Sequence, residues 1–555
     1  MIVRSFIIMA APPASNLAMA IADESSLRRT LAVAAGSRLA ALTLAVGFDY
    51  LLPDHVPEGA LTVTFDGCNS TAFTRAFTRW DSAHFLAVAA DGWEVNEYSH
   101  AFFPLYPILV RRLAELLAWS HLVACATELR VVAGLLVSNF CFLVAACCLH
   151  ALGDRVLRDP VLARTAALLF CASPATVFFS TLYSESTFAA ATFGGLLLLE
   201  QGLPWSAATA LGLATACRAN GLLHALPLAH YGLRRLAALI EQQTTPVRGR
   251  GGEAARPLRA ADRLGAALSL ASAVCALVLQ VCLVVAPYIG WQLAGYWRVC
   301  PGAETAAAAR SSPWAKRGVR SGGAALAVPT PTRHAQQWTS TLPAGWCTQR
   351  LPDLYSHVQQ SYWGVGFLSY YELRQLPNFA LAAPAIALCV AGCCTSLLLA
   401  NARYGCWTWR ELGRGVLGLR PRGLRGSDGD DSESRPITPD GAATPRALLL
   451  VIEWSALSAL VLLLGNVQIV TRLVSAACPP FYWYMAHLVL LRGTPPLPAR
   501  APELGGRSFG SWLGRGSSCG RGWLGSSRLR TSLLAYLGMF GVVGTALHSN
   551  SYPWT

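Results

Sequence analysis

Long apolar runs, separated by stretches rich in arginine, glycine and proline, set the pattern of this chain. Runs near the roughly 20 mainly apolar residues that a bilayer-spanning helix needs fall at 31–52, 130–151, 161–182, 186–201, 264–294, 378–400, 446–465 and 531–548. Two broken apolar regions, 205–233 and 467–492, join them. Lipid offers no partner to a backbone N–H or C=O, so a spanning segment must satisfy its own. The pattern therefore predicts an all-α polytopic membrane protein with roughly 8–11 membrane helices.

Composition agrees. Of 555 residues, 54% are hydrophobic and 13% charged, and the mean hydropathy is +0.41, well outside the soluble range of about a quarter charged. The net charge of +14 is carried almost wholly by arginine, since Lys316 is the single lysine. Arginines gather in Gly/Pro-rich connectors at 246–263, 410–436 and 505–530. None looks able to bury a core, so they read as linkers, cytoplasmic by the positive-inside rule. This charge gives no reason to expect a nucleic-acid partner.

Topology follows from these signs. It places 1–30 as a cytoplasmic N-terminus, 31–52 as the first transmembrane helix and 53–127 as a far-side loop with amphipathic helices. A bundle at 128–295 carries a basic cytoplasmic loop, 234–263, and a second far-side loop spans 296–377. A helix at 378–400, a linker at 401–445, a hairpin at 446–492, a second linker at 493–530 and a last helix within 531–555 complete the chain. The opening "MIVRSFIIMAAPPAS" has a loose signal-peptide look, broken by Pro12 and Pro13. The far-side loops hold the sequon at Asn69 and two cysteines, Cys300 and Cys347, which either pair or stay as free thiols. Most other cysteines lie in apolar runs as small hydrophobes, and no Cys/His set has zinc spacing.

Chemistry concentrates in the first loop, where "LLPDHVPEG" carries Asp54 and "RWDSAHF" carries Trp80, Asp81 and His84. A carboxylate at a membrane surface can serve as a general base and an indole beside it can stack on a sugar, while belt anchoring and solvation are the plainer readings. The following "HAFFPLYPILVRRLAELLA" reads as a half-inserted helix, with Pro104 and Pro107 at its start and Arg111 and Arg112 on its polar edge. Arg218 and Asn220 sit within an apolar region, and Gln468, Arg472 and His487 surround Pro479-Pro480. An intramembrane arginine costs several kcal/mol unless partnered and marks a functional site by default. Phosphate is its natural ligand; snorkelling to the interface is the alternative.

The order of "WDSAHF", "AFFPLYP", "SPATVFFSTLYSE", "CRANGLL", "SYWGVGFLSYYELRQLPNF", "VQIVTRLVSAACPPFYWYM" and the terminal "PWT" resembles the GPI mannosyltransferase 2 family. The resemblance runs from about Pro53 to Thr555 and leaves out mainly the Arg/Gly-rich connectors, 303–345 and the first 25 residues. It implies a GT-C glycosyltransferase fold in the endoplasmic reticulum membrane with a luminal active site. It also implies addition of the second mannose, α-1,6 linked and with inversion, from dolichyl phosphate mannose to the mannosyl-glucosaminyl-phosphatidylinositol intermediate of the GPI anchor. Asp81 is then the expected catalytic base with Asp54 as runner-up, Trp80 a sugar wall and His84 an orienting group. Arg218 is expected to hold the leaving phosphate, with Arg472 its competitor. No metal or other cofactor is expected, and an accessory membrane subunit is left open. The alternatives are a related lipid-linked-sugar transferase with another acceptor and, less favoured because the chain shows no internal repeat of its motif blocks, a polytopic transporter.

Overall fold

The computed structural model describes residues 17–55, 71–93, 97–119, 125–244, 260–300, 345–404, 445–490 and 527–554. Among these the regular elements are all helical. They are α1 (Leu17–Leu51), α2 (Asp81–Asp91), α3 (Leu105–Ala118), α4 (Ala126–Leu157), α5 (Pro160–Cys171), α6 (Thr176–Ser180), α7 (Glu185–Glu200) and α8 (Pro204–Cys217). After these come α9 (Ala225–Thr244), α10 (Ala260–Val299), α11 (Leu354–Trp363), α12 (Leu376–Tyr404), α13 (Pro445–Leu464), α14 (Val470–Ala477), α15 (Pro479–Val489) and α16 (Ser527–Ser549). Six of them, α1, α4, α10, α12, α13 and α16, are long and apolar enough to cross a membrane alone.

The shorter helices cluster where the sequence breaks them. The expected continuous span 161–182 is two helices, α5 and α6, because Ser173-Pro174 interrupts the hydrogen-bond ladder. The freed carbonyls are not left bare: buried Arg38 of α1 donates to Thr176 O at 3.0 Å and Cys171 O at 3.4 Å, and to Ser180 Oγ at 2.7 Å. Its guanidinium also lies 3.8 Å from the Phe142 ring centroid. Region 205–233 is likewise two helices, α8 and α9, joined by a 3-10 turn, Ala219–His224. Around Pro479-Pro480 the chain stops α14 and starts α15, since Pro suits a helix's first turn and not its interior.

Small residues let the helices approach. A Cβ on Gly212 of α8 would lie 2.6 Å from Leu283 O of α10, and one on Gly195 of α7 would lie 2.6 Å from Leu211 of α8. The core between them is aromatic: Phe170 stacks on Phe142 at 4.6 Å and meets Phe179 and Tyr482 edge-on at 5.1 and 5.3 Å.

Several boundaries differ from those expected. The basic loop 234–263 is shorter, because α9 stays helical through Thr244 and α10 begins at Ala260. α1 starts at Leu17, before the expected 31, and α16 at Ser527. Polar residues at the helix ends obscured these starts, because mean hydropathy falls there although the backbone ladder continues. The sequon Asn69, residues 303–344, the first 16 residues and most of the arginine-rich connectors lie outside the described residues.

Candidate active site

The site is assembled at the loop end of the bundle, from the turn before α2, the start of α7, the α8–α9 turn and α14. Trp80 has φ +55°, a left-handed conformation costly for a bulky side chain, and Asp81 opens α2 immediately after it. The Asp81 N–H donates to Tyr183 Oη at 3.3 Å, and Tyr183 Oη pairs with His548 Nε2 at 3.2 Å. The strained turn is thus tied to the start of α7 and to the end of α16.

Arg472, on α14, donates from Nη1 to Asp81 Oδ2 at 2.7 Å. Its Nε lies 3.8 Å from Glu185 Oε1, and the same carboxylate oxygen lies 2.7 Å from Arg218 Nη1. Arg218 also donates to Ser184 Oγ at 3.0 Å. Two arginines and two acids therefore form one chain, Asp81–Arg472–Glu185–Arg218, whose charges balance. Glu185 is fully buried at its centre. Burial opposes ionisation of Asp81, but the Arg472 guanidinium outweighs it and holds the carboxyl below its ordinary value, keeping it a charged acceptor.

Two donors, one in this cluster and one on the turn that carries Arg218, have hydrogen-bonding capacity in hand. The Asn220 side-chain nitrogen, two residues beyond Arg218, is buried without a partner, as is Arg472 Nε. Buried donors without acceptors are rare in native proteins.

Asp54 stands elsewhere. Arg79 Nη2 holds both its oxygens at 2.8 Å, and also reaches Asp49 at 3.2 Å and, through Nε, Ser549 O at 3.2 Å. His55 N donates to Asn550 O at 2.9 Å and its ring stacks on Tyr552 at 5.1 Å. Asp54 and His55 thereby clasp the chain's last residues against the first loop and brace the Trp80 turn.

The mannosyltransferase (PIG-V) family profile matches residues 57–246 and 260–555. The chain belongs to this mannosyltransferase family. GPI alpha-1,6-mannosyltransferase 2 of Cricetulus griseus is 31% identical, over 96% of this chain and 99% of the relative. The protein of the same name from Homo sapiens is 28% identical over 96% and 99%. GPI mannosyltransferase 2 of Chaetomium globosum is 30% identical over 76% of this chain and 78% of its own. No solved structure matches. The protein is a multi-pass membrane mannosyltransferase of GT-C type.

Of the residues read from the sequence, this mannosyltransferase brings together Asp81, Arg218, Asn220 and Arg472. Gln468 is one turn before Arg472 and accepts from Tyr370 Oη at 2.6 Å, which in turn accepts from Asn378 at 2.8 Å, so the second loop is tied to the turn that leads into α14. Trp80 is adjacent and partly exposed. His84 lies one turn along α2, stacked on Phe102 at 5.0 Å and edge-on to Tyr98 at 5.4 Å, with no hydrogen bond to Asp81 among the described residues. Burial lowers its pKa and Asp81 only partly offsets that, which favours the neutral ring. His487 is in the last turn of α15, a different helix from the one that carries Arg472, and no contact described for Asp81, Arg472, Glu185 or Arg218 involves it. It is not part of the cluster.

Glu185, Tyr183 and His548 complete the arrangement although none was singled out as a site residue from the sequence. The signal for Glu185 was its place at the boundary of two apolar runs: a carboxylate entering lipid needs a cation, and Arg218 is the next one further along the chain. The second loop is anchored by the Cys300–Cys347 disulfide, with Cα atoms 5.7 Å apart, so these cysteines pair rather than stay free. Cys125, at the start of α4, is also disulfide-bonded. Glu97 of the first loop accepts from Tyr362 Oη of α11 at 3.2 Å, joining the two loops.

Proposed function

We propose that this protein transfers the second, α-1,6-linked mannose of the GPI anchor from dolichyl phosphate mannose to the mannosyl-glucosaminyl-phosphatidylinositol intermediate, on the luminal side of the endoplasmic reticulum membrane. The single observation that carries the reading, beyond membership of the family, is the Asp81–Arg472–Glu185–Arg218 chain at one end of the bundle. An acid poised to take a proton and an arginine poised to hold a phosphate are the two groups that a single displacement at a lipid-linked sugar requires.

In this reading Asp81 accepts the proton of the acceptor's primary hydroxyl as its oxygen attacks the anomeric carbon of mannose. The bond from that carbon to the phosphate oxygen breaks on the opposite face, so a β-linked donor gives an α-linked product. Arg218 with the free Asn220 amide receives the charge building on dolichyl phosphate, since Arg472 is committed to Asp81 and acts to keep it ionised. Trp80 and the Gln468–Tyr370 pair provide flat and hydrogen-bonding walls for the sugars. No metal or cofactor is needed, because one guanidinium can stabilise a single departing phosphate. The basic connectors would face the cytoplasm and both disulfide-bearing loops the oxidising lumen.

The test is rescue of GPI-anchored surface protein in cells lacking the second mannosyltransferase. Restoration by the wild-type chain supports the reading; no restoration by a well-expressed chain, with accumulation of the one-mannose intermediate, removes it.

A further inference from the structure

At the end of the bundle opposite Asp81, two recesses of about 420 and 500 Å³ meet around α9 and share Gly202, Tyr231 and Arg235. Helix α7 measures the separation: it runs from Glu185, in the charged cluster, to Glu200, in the wall of the first recess. At about 1.5 Å per residue its 16 residues put the recesses roughly 24 Å from the reacting groups. They cannot touch the transferred sugar.

We infer that this double recess binds the phosphate headgroup of an anionic phospholipid from the membrane leaflet at that end. Arg234 and Arg235 are adjacent in its wall, and no ion pair engages either among the described residues. Glu200 is the acid of the same lining, against two arginines, so the lining is net positive. Guanidinium binds phosphate through paired N–H donors, and Tyr231, between the recesses, adds a hydroxyl. The remaining walls are mixed: Leu449 and Leu450 of α13 on one side and Ala276 and Leu277 of α10 on the other give apolar surface, beside polar Gln201, His230, Ser272 and Gln280. Acyl chains can follow those surfaces into the bilayer while the headgroup stays at the helix ends. A free phosphate would use the arginines and the polar lining and leave the leucine and alanine surfaces of α13 and α10 empty, which is why the lipid fits better.

The ligand would brace a particular hairpin. Pro204 at the start of α8 and Arg235 on α9 both line the second recess, and the other ends of these helices frame the turn that carries Arg218 and Asn220.

The experiment uses the full chain purified into phosphatidylcholine nanodiscs containing phosphatidylserine, with bound lipid counted by native mass spectrometry. R234A/R235A should retain about 30-fold less phosphatidylserine, the scale of change expected for losing two arginines at a charged membrane surface, with phosphatidylcholine unchanged. R234K/R235K keeps the charge and should retain most of it, which separates lost binding from lost folding. R528A/R530A removes two exposed arginines from the start of α16 and should leave retention unchanged. Equal retention by R234A/R235A and wild type, or equal loss in R528A/R530A, overturns the proposal. Displacement of phosphatidylserine by millimolar inorganic phosphate overturns the lipid assignment and gives the site to free phosphate.

Discussion

Asp81 and Arg472 meet at 2.7 Å although 391 residues separate them in the chain. Each would be expensive alone near the membrane, and together they fix the protonation state of the acid. The contact joins the first loop to a broken helix near the other end of the sequence, and Glu185 extends it to Arg218.

Replacing Asp81 by Asn keeps the shape and one acceptor oxygen but removes the base. Transfer should fall by about 10²–10⁴, the usual worth of general base catalysis, at unchanged expression, measured as mannose transfer in membranes. D54N should lose less than about tenfold, because Asp54 acts through Arg79 on the clasp. A loss in D54N as deep as in D81N would reassign the base.

The pH dependence follows from Arg472. The folded pKa of Asp81 is depressed, so the ion pair stabilises the native state above the ordinary carboxylate pKa and that stabilisation is lost as pH falls through the depressed value. Removing the guanidinium in R472Q leaves burial as the dominant influence, which raises the pKa. The acid limb of kcat/KM should therefore move to higher pH in R472Q. A limb that stays in place would mean that Asp81 is not the titrating group.

Gly221 lies in the turn that presents Arg218, and a Cβ there would fall 2.5 Å from the Thr215 backbone. Backbone cannot swing aside as a side-chain tip can, so G221A should displace the turn. The expected result is a reduced kcat with a stable, expressed protein. G212A, whose Cβ meets the Leu283 carbonyl of α10 and not the turn, should instead cost about 1–3 kcal/mol of stability, read from thermal unfolding in detergent.

Cys300 and Cys347 close a loop across a sequence separation of 47 residues. C300S/C347S should lower stability by about 2–4 kcal/mol, the common range for a native disulfide, and loosen the packing of Trp346 and Leu354 beside it. The check is the unfolding midpoint of the variant against wild type. Equal midpoints would show that the bond adds little to the loop's order.

What the sequence alone determined is what local composition can carry. Apolar runs specify helices because lipid leaves the backbone no other partner, and Pro479 and Pro480 mark a break because they cannot continue a ladder, whereas the break at Pro174 was hidden inside the apolar run 161–182. The motif blocks were enough to find Asp81, Arg218 and Arg472 as separate candidates. Only the tertiary structure decided which charges face one another. Arg38, Arg218 and Arg472 are alike as arginines in apolar sequence, yet Arg38 satisfies the carbonyls of a broken helix while the other two share Glu185. Asp54 and Asp81, 27 residues apart in one loop, are separated by the same rule: one is locked to Arg79, the other opens α2 at the shared cluster. Electrostatic partnership depends on a few ångströms of distance between remote segments, and neither hydropathy nor spacing along the chain contains that distance.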